Sequence, residues 1–182
     1  GGVHLPECQS LGFANQEEMI SYLHARTKDQ LKRYQGPIAK MASDRLEQEL
    51  TTIRNLGYES YFLSVASVVD MAREKGIRVA ARGSGVGSIV NYLLGVSQIE
   101  PITQGLLMER FCSDLRSELP DIDIDVESAR RLEIYDLVFK KYQHRTATVA
   151  MLETYRARHA IRDTGAALGM SQTEIDLIAK SL

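Results

Sequence analysis

The stretch Pro120-Asp121-Ile122-Asp123-Ile124-Asp125-Val126 alternates acidic and aliphatic residues without a break. A period of two belongs to a β-strand, and it sends Ile122, Ile124 and Val126 to one face and Asp121, Asp123 and Asp125 to the other. The aliphatic face needs a core to cover it. The acidic face spaces successive carboxylates about 6.7 Å apart at Cα, with nothing in the flanking sequence to neutralise them. Like charges that close shift their pKa values or destabilise the strand unless a cation sits among them. Oxygen-only ligands favour Mg²⁺ over zinc. Two such carboxylates can hold a pair of ions roughly 3.5–4 Å apart, which clamps the attacking and leaving oxygens of a phosphoryl transfer. Neighbouring carboxylates among Asp121, Asp123 and Asp125 are therefore candidate metal-binding residues. An EF-hand loop also opens with D-x-D-x-D, but it requires Gly and Glu where this chain has Val126 and Leu132. A solvent-facing acidic strand without a ligand is the other alternative.

A second feature precedes the acidic strand by some 35 residues. Ile77-Arg78-Val79-Ala80-Ala81 reads as a short strand, followed by Arg82-Gly83-Ser84-Gly85-Val86-Gly87-Ser88 and a helix beginning at Ser88. Between a strand and a helix, backbone N–H groups and the helix dipole favour a phosphate, with Arg82 adding positive charge. The spacing is neither a Walker A loop, which needs Lys before Ser88, nor a dinucleotide fingerprint. A tight structural turn explains the loop alone equally well. Its pairing with the acidic strand is what makes it specific.

The rest of the chain reads as helices. Asn15 with Glu18 forms a capping pair opening a helix to about Tyr34, and Gly36-Pro37 starts the next, which Gly57 stops. A third helix runs from about Ser60 to Lys75. After the loop, short helices are expected near 106–111 and 128–142, a strand near 146–152, and two closing helices, the last opened by Ser171 with Glu174. The expected organisation is a helical segment over residues 1–76 and a mixed α+β part over 77–182.

Composition excludes several classes. Of 182 residues, 44% are apolar and 25% charged, so a buried core is available and disorder is not indicated. A formal net charge of -2 argues against a free-standing nucleic-acid binder. Cys8 and Cys112 have no partners at zinc spacing and read as reduced thiols of a cytoplasmic protein. No apolar run approaches the roughly 18 residues of a membrane span, so no membrane partner is expected. The chain opens on Gly1 rather than Met, which fits a piece of a longer protein.

From about Arg54 to Met170 the sequence resembles the palm region of the bacterial DNA polymerase III alpha subunit, the C family of DNA polymerases. The residues that carry the resemblance are Gly57-Tyr58 with Tyr61-Phe62-Leu63, Arg82-Gly83-Ser84 with Gly87-Ser88, and Tyr92-Leu93-Leu94-Gly95. They continue with Glu100-Pro101, Leu106-Leu107, Glu109-Arg110-Phe111 and Pro120 to Asp125. Thr154 to Asp163 is similar to the Tyr-Arg-x-Arg string of the error-prone, damage-tolerant branch rather than the main replicative one.

The resemblance implies a partial polymerase β-like nucleotidyltransferase palm preceded by a helical segment. It implies that Asp121 and Asp123, rather than Asp125, ligate two Mg²⁺ ions in the complete enzyme. Arg82, Gly83, Ser84, Ser88 and Arg110 would meet the incoming triphosphate, and Arg156, Arg158 and Arg162 would track a DNA backbone. Structural readings of Arg110 as an ordinary surface arginine, and of the last three as a solvated helix face, stay open. The family's third aspartate has no match, since Asp136, Asp163 and Asp176 fall on expected helices. The implied partners are primer-template DNA, deoxynucleoside triphosphates and other replication or repair proteins, in a bacterial cytoplasm. The main replicative palm, a non-catalytic palm-like scaffold and a small nucleotidyltransferase acting on another substrate are the alternatives.

Overall fold

The computed structural model describes residues 4–108, 112, 120–149 and 156–181. Three helices come first: α1 (Gln16–Gln30), α2 (Pro37–Leu56) and α3 (Glu59–Glu74). Asn15 starts α1 by accepting the Glu18 N–H at 2.9 Å, while the Glu18 carboxylate reaches back to the Ala14 N–H at 2.7 Å. The helix stops short of Tyr34 because its last turn tightens into a 3₁₀ turn over Leu31–Arg33. Pro37 takes the first position of α2, and Gly57, at φ +69°, ends it in the left-handed conformation that a side chain disfavours.

One face of each helix is buried. Met19 and Leu23 of α1, Leu46, Leu50 and Ile53 of α2, and Phe62, Ala66 and Val69 of α3 belong to a single core. Ile77 and Val79, Ile89 and Val90 belong to it as well. The helices of the first 76 residues thus share one core with the strand and loop region, which covers their apolar faces. By compactness the chain divides into Gly1–Thr146 and Ala147–Leu182.

In the first unit, β1 (Val79–Arg82) pairs antiparallel with β2 (Asp123–Val126), Val79 opposite Val126 and Arg82 opposite Asp123. Both strands are shorter than expected, for identifiable reasons. The Ile77 N–H bonds to the Ala72 carbonyl at 2.9 Å and so belongs to the end of α3. At the other end β1 stops at Arg82 because Gly83 turns away at φ +73°, which ends the ladder at Asp123. Residues 120–122 thus precede the ladder. α4 (Ile89–Leu93) follows the loop, and α5 (Arg131–Tyr142) follows β2 after a 3₁₀ turn. Residues 106–108 and 146–149 are neither helix nor strand, and the remainder of those two expected elements lies outside the described residues.

The second unit contains α6 (Ala157–Ala167) and α7 (Gln172–Lys180). Ser171 and Glu174 form the expected capping box. Gly165 allows α6 to approach α7, since a Cβ there would lie 2.7 Å from Ile175 Cγ1. With seven helices and one two-stranded sheet among the described residues, the architecture is mostly helical and compatible with α+β. None of the described helices is long and apolar enough to cross a membrane.

Candidate active site

The alternation read from the sequence determines what β2 and the residues before it present. Ile122, Ile124 and Val126 pack against the core, while Asp121 and Asp125 are exposed and Asp123 is half-exposed. The expectation that nothing neutralises these carboxylates needs correction. Arg82, opposite Asp123 across the ladder, donates from Nε to Asp125 Oδ1 at 2.9 Å, and its Nη1 lies 3.6 Å from Asp123 Oδ2. The hydrogen bond to Asp125, then the charges of Asp123 and Asp125, raise the guanidinium pKa further. The neutralising charge is 41 residues away in sequence and adjacent only through strand pairing.

Immediately after Arg82, Gly83 comes close to the acidic edge. A Cβ on Gly83 would lie 3.2 Å from Asp123 Oδ2, so the glycine backbone and the carboxylate are close neighbours. The Gly–Ser loop and the acidic strand, joined only by inference in the sequence, therefore meet at Gly83 and Asp123. Arg82, Gly83 and the exposed Ser84 line a cleft of about 880 Å³ whose far wall includes Gln104, Gly105, Leu106 and Leu107.

The other half of the loop is committed inward. Ser88, expected at a phosphate, is buried and donates its hydroxyl to Glu49 Oε2 at 2.8 Å. The Ile89 and Val90 N–H groups, which open α4, donate to the same carboxylate at 3.1 and 3.2 Å. Arg45 Nε completes its partners at 2.8 Å. An internal carboxylate thus fills the helix N-terminus that a phosphate would use. Burial pushes the Glu49 pKa up, opposed by the bonds from Arg45, Ser88 and Ile89. Asn91 Nδ2 and Arg45 Nη2 hold the Gly85 and Gly87 carbonyls at 2.9 and 3.3 Å. The Arg82–Ser84 end of the loop is the part left exposed.

Sequence reasoning gave Glu49, Arg45 and Asn91 no role. The available signal was a glutamate in the apolar stripe of α2, between Leu46 and Leu50 and four residues after Arg45. Tyr61 belongs to one of the blocks that carry the resemblance. Its hydroxyl accepts the Ile122 N–H at 3.0 Å. Burial raises its pKa, and the charges of Asp121 and Asp123 raise it further against the lowering effect of that bond. Arg110 lies outside the described residues. Arg156 and Arg158 are exposed in the second unit, while Arg162 is 3.6 Å from Asp176. Asp136, Asp163 and Asp176 lie on α5, α6 and α7, as expected.

The carboxylates fit a hard divalent cation. They present oxygen donors only, and the guanidinium already drawn to Asp123 and Asp125 shows that this edge attracts positive charge. Among the described residues no group of three or more His, Cys, Asp or Glu side chains converges on a metal-binding point. Asp121 and Asp123 would hold such an ion with water completing its coordination.

Comparison with known proteins agrees with the residues that carry the resemblance. The family model of the bacterial DNA polymerase III alpha NTPase domain matches residues 21–182. The chain belongs to this family. It is 44% identical over 163 residues to the error-prone DNA polymerase of Symbiobacterium thermophilum, covering 89% of this chain and 15% of that protein. The error-prone DNA polymerase of Azoarcus sp. is 43% identical over 168 residues, covering 91% of this chain and 16% of that protein. For that of Ralstonia pickettii the values are 42% over 161 residues, 87% and 15%. The family and its error-prone branch were thus both legible in the motif blocks, and the chain spans about 15–16% of the length of these relatives.

Proposed function

We propose that this chain is part of the palm of a DNA-directed DNA polymerase of the error-prone branch, built on the polymerase β-like nucleotidyltransferase plan. Its parent would transfer a nucleotidyl group from a deoxynucleoside triphosphate to a primer 3′-hydroxyl, releasing pyrophosphate, in translesion repair synthesis in the bacterial cytoplasm. The observation that carries this reading is the meeting of Gly83 and Asp123, with a Cβ-to-Oδ2 distance of 3.2 Å, at the edge of a cleft of about 880 Å³. A phosphate-binding backbone and metal-binding carboxylates must share such an edge if a triphosphate is to bridge them.

The residues divide the work accordingly. Asp121 and Asp123 would hold Mg²⁺, which would supply positive charge for the attacking and leaving oxygens. Gly83 and Ser84 offer backbone and hydroxyl donors to the triphosphate. Arg82, exchanging carboxylates for phosphate oxygens, would supply the charge that orients it. Arg110 is assigned to the same triphosphate on resemblance alone. Arg156 and Arg158 would contact the DNA backbone, with Arg162 contributing once its pairing with Asp176 opens. The chain's net charge of -2 gives little general attraction for a duplex, so primer-template and protein partners would be held by other parts of the parent.

Primer extension by the full-length parent tests the reading. Wild-type protein should extend a templated primer with Mg²⁺, and Asp121→Asn or Asp123→Asn should abolish extension without unfolding the protein. Full activity in both variants would remove these residues from the metal site.

A further inference from the structure

Asp121 and Asp123 are only two residues apart, but the fold secures them differently. Asp123 is the first residue of the ladder, held by pairing with Arg82. Asp121 lies two residues before it, outside the ladder, because Gly83 has already turned out of β1. A hydrogen bond to the peptide that joins Asp121 to Ile122 comes from neither strand. Tyr61, on α3, reaches across and accepts the Ile122 N–H at 3.0 Å. The tyrosine is itself well seated. Its ring meets that of Phe62 edge-on, with centroids 6.1 Å apart, and Phe62 and Leu63 are in the core.

We propose that Tyr61 is a positioning residue for the metal-binding carboxylates. It clamps the Asp121–Ile122 peptide so that Asp121 and Asp123 present their oxygens in one fixed relation, and this rests on their reading as Mg²⁺ ligands. Two donors without a third ligand group among the described residues gain most from being pre-set, since every degree of freedom left to Asp121 must be frozen when the ion binds. Ile122 also anchors the segment by packing against the core, but a side chain can rotate within its pocket and leave the preceding peptide free to turn. The hydroxyl fixes the peptide itself. A residue that touches a ligand's backbone rather than the ion can still control affinity, as partners of metal ligands generally do.

The test uses the 182-residue chain and Mn²⁺, followed by paramagnetic broadening of the amide resonances at 121–125 and by water-proton relaxation. Tyr61→Phe keeps the ring and removes only the oxygen. The variant should bind Mn²⁺ about tenfold more weakly, exchange the Ile122 amide faster and melt at an unchanged temperature without metal. Asp121→Asn and Asp123→Asn should abolish the broadening. If those two variants lose Mn²⁺ while Tyr61→Phe binds it as tightly as wild type, the positioning role is refuted and the metal reading stands. If Tyr61→Phe loses melting temperature together with affinity, the hydroxyl is a general structural element and the proposal fails. If the asparagine variants still bind Mn²⁺ at 121–125, the metal reading falls and takes the proposal with it.

Discussion

Arg82 and Asp123 face each other as the last pair of the β1–β2 ladder, with Nη1 and Oδ2 3.6 Å apart. The same guanidinium bonds to Asp125, so one cation serves two carboxylates of the acidic face. Both partners are substantially exposed, and exposed pairs contribute little to stability. What the pair does affect is the competition for Asp123. Removing the guanidinium leaves the acidic edge uncompensated, which strengthens its attraction for a free cation. Arg82→Ala should therefore bind Mn²⁺ more tightly than wild type, measured by titration at low ionic strength. Its melting temperature should be slightly lower without divalent ions and recover when they are added. Weaker Mn²⁺ binding in this variant would mean that Arg82 supports the ion site rather than competing for it.

Glu49 sets a larger stake. Its carboxylate accepts from Ser88, Ile89, Val90 and Arg45 in a setting where the side chain is 1% exposed. Truncation leaves an arginine and three other donors without their acceptor. Breaking a buried charged pair in this way costs about 3–5 kcal/mol, and Glu49→Ala should lose that much in urea-induced unfolding. Loss of less than about 1 kcal/mol would mean that water or a neighbour replaces the carboxylate readily.

That network also explains which parts of the site were readable. The acidic strand was legible because a period of two has one structural meaning, and the loop because its glycines fall between strand and helix. Glu49 was not, since a helix pattern assigns glutamate to solvent until tertiary contacts give it partners 39 to 41 residues away. The partner of Ser88 is hidden for the same reason: helix N-terminal donors attract anions, and the sequence does not say whether the anion comes from the protein. Arg82 was assigned to phosphate on its place in the loop, whereas its register opposite Asp123 existed only once the strands were paired. The start of β2 depended on where Gly83 leaves β1, a backbone decision with no signature inside the acidic strand itself.

Glu100 gives a prediction in pH. Burial pushes its pKa up, but hydrogen bonds from Thr103, Tyr34 and the Ile102 and Thr103 N–H groups together hold it below 4.5. Tyr34 donates at 2.5 Å, and the backbone groups at 2.8 and 2.7 Å. The folded state therefore binds the proton less readily than the unfolded chain. The resulting stability is fully present above about pH 4.5 and is lost as pH falls through the lower folded value. Glu100→Ala should cost about 2 kcal/mol at pH 7, with the gap from wild type narrowing below pH 4.5. Urea melts at pH 7 and pH 3.5 measure both, and a gap that widens on acidification would reverse the assignment.

Gly83 and Gly76 share a backbone conformation, at φ +73° and +64°, but differ in what surrounds them. Nothing lies within 4 Å of a Cβ built on Gly76, whereas one on Gly83 meets Asp123 Oδ2 at 3.2 Å. Alanine at either site takes on the left-handed penalty of about 1–2 kcal/mol, so both variants should lose comparable stability in urea. Only Gly83→Ala should also disturb the acidic edge. Asp123 is half-exposed and can yield, but only by moving its carboxylate off the position that faces the loop. Mn²⁺ affinity should consequently fall in Gly83→Ala and stay unchanged in Gly76→Ala. Comparing the two separates backbone strain from displacement of the carboxylate, which neither variant could do alone. Equal loss of Mn²⁺ affinity in both would mean that general loosening of the unit governs the site. Unchanged affinity in Gly83→Ala would show that Asp123 can bind the ion from a relaxed position, and that its contact with the loop is not required for metal binding.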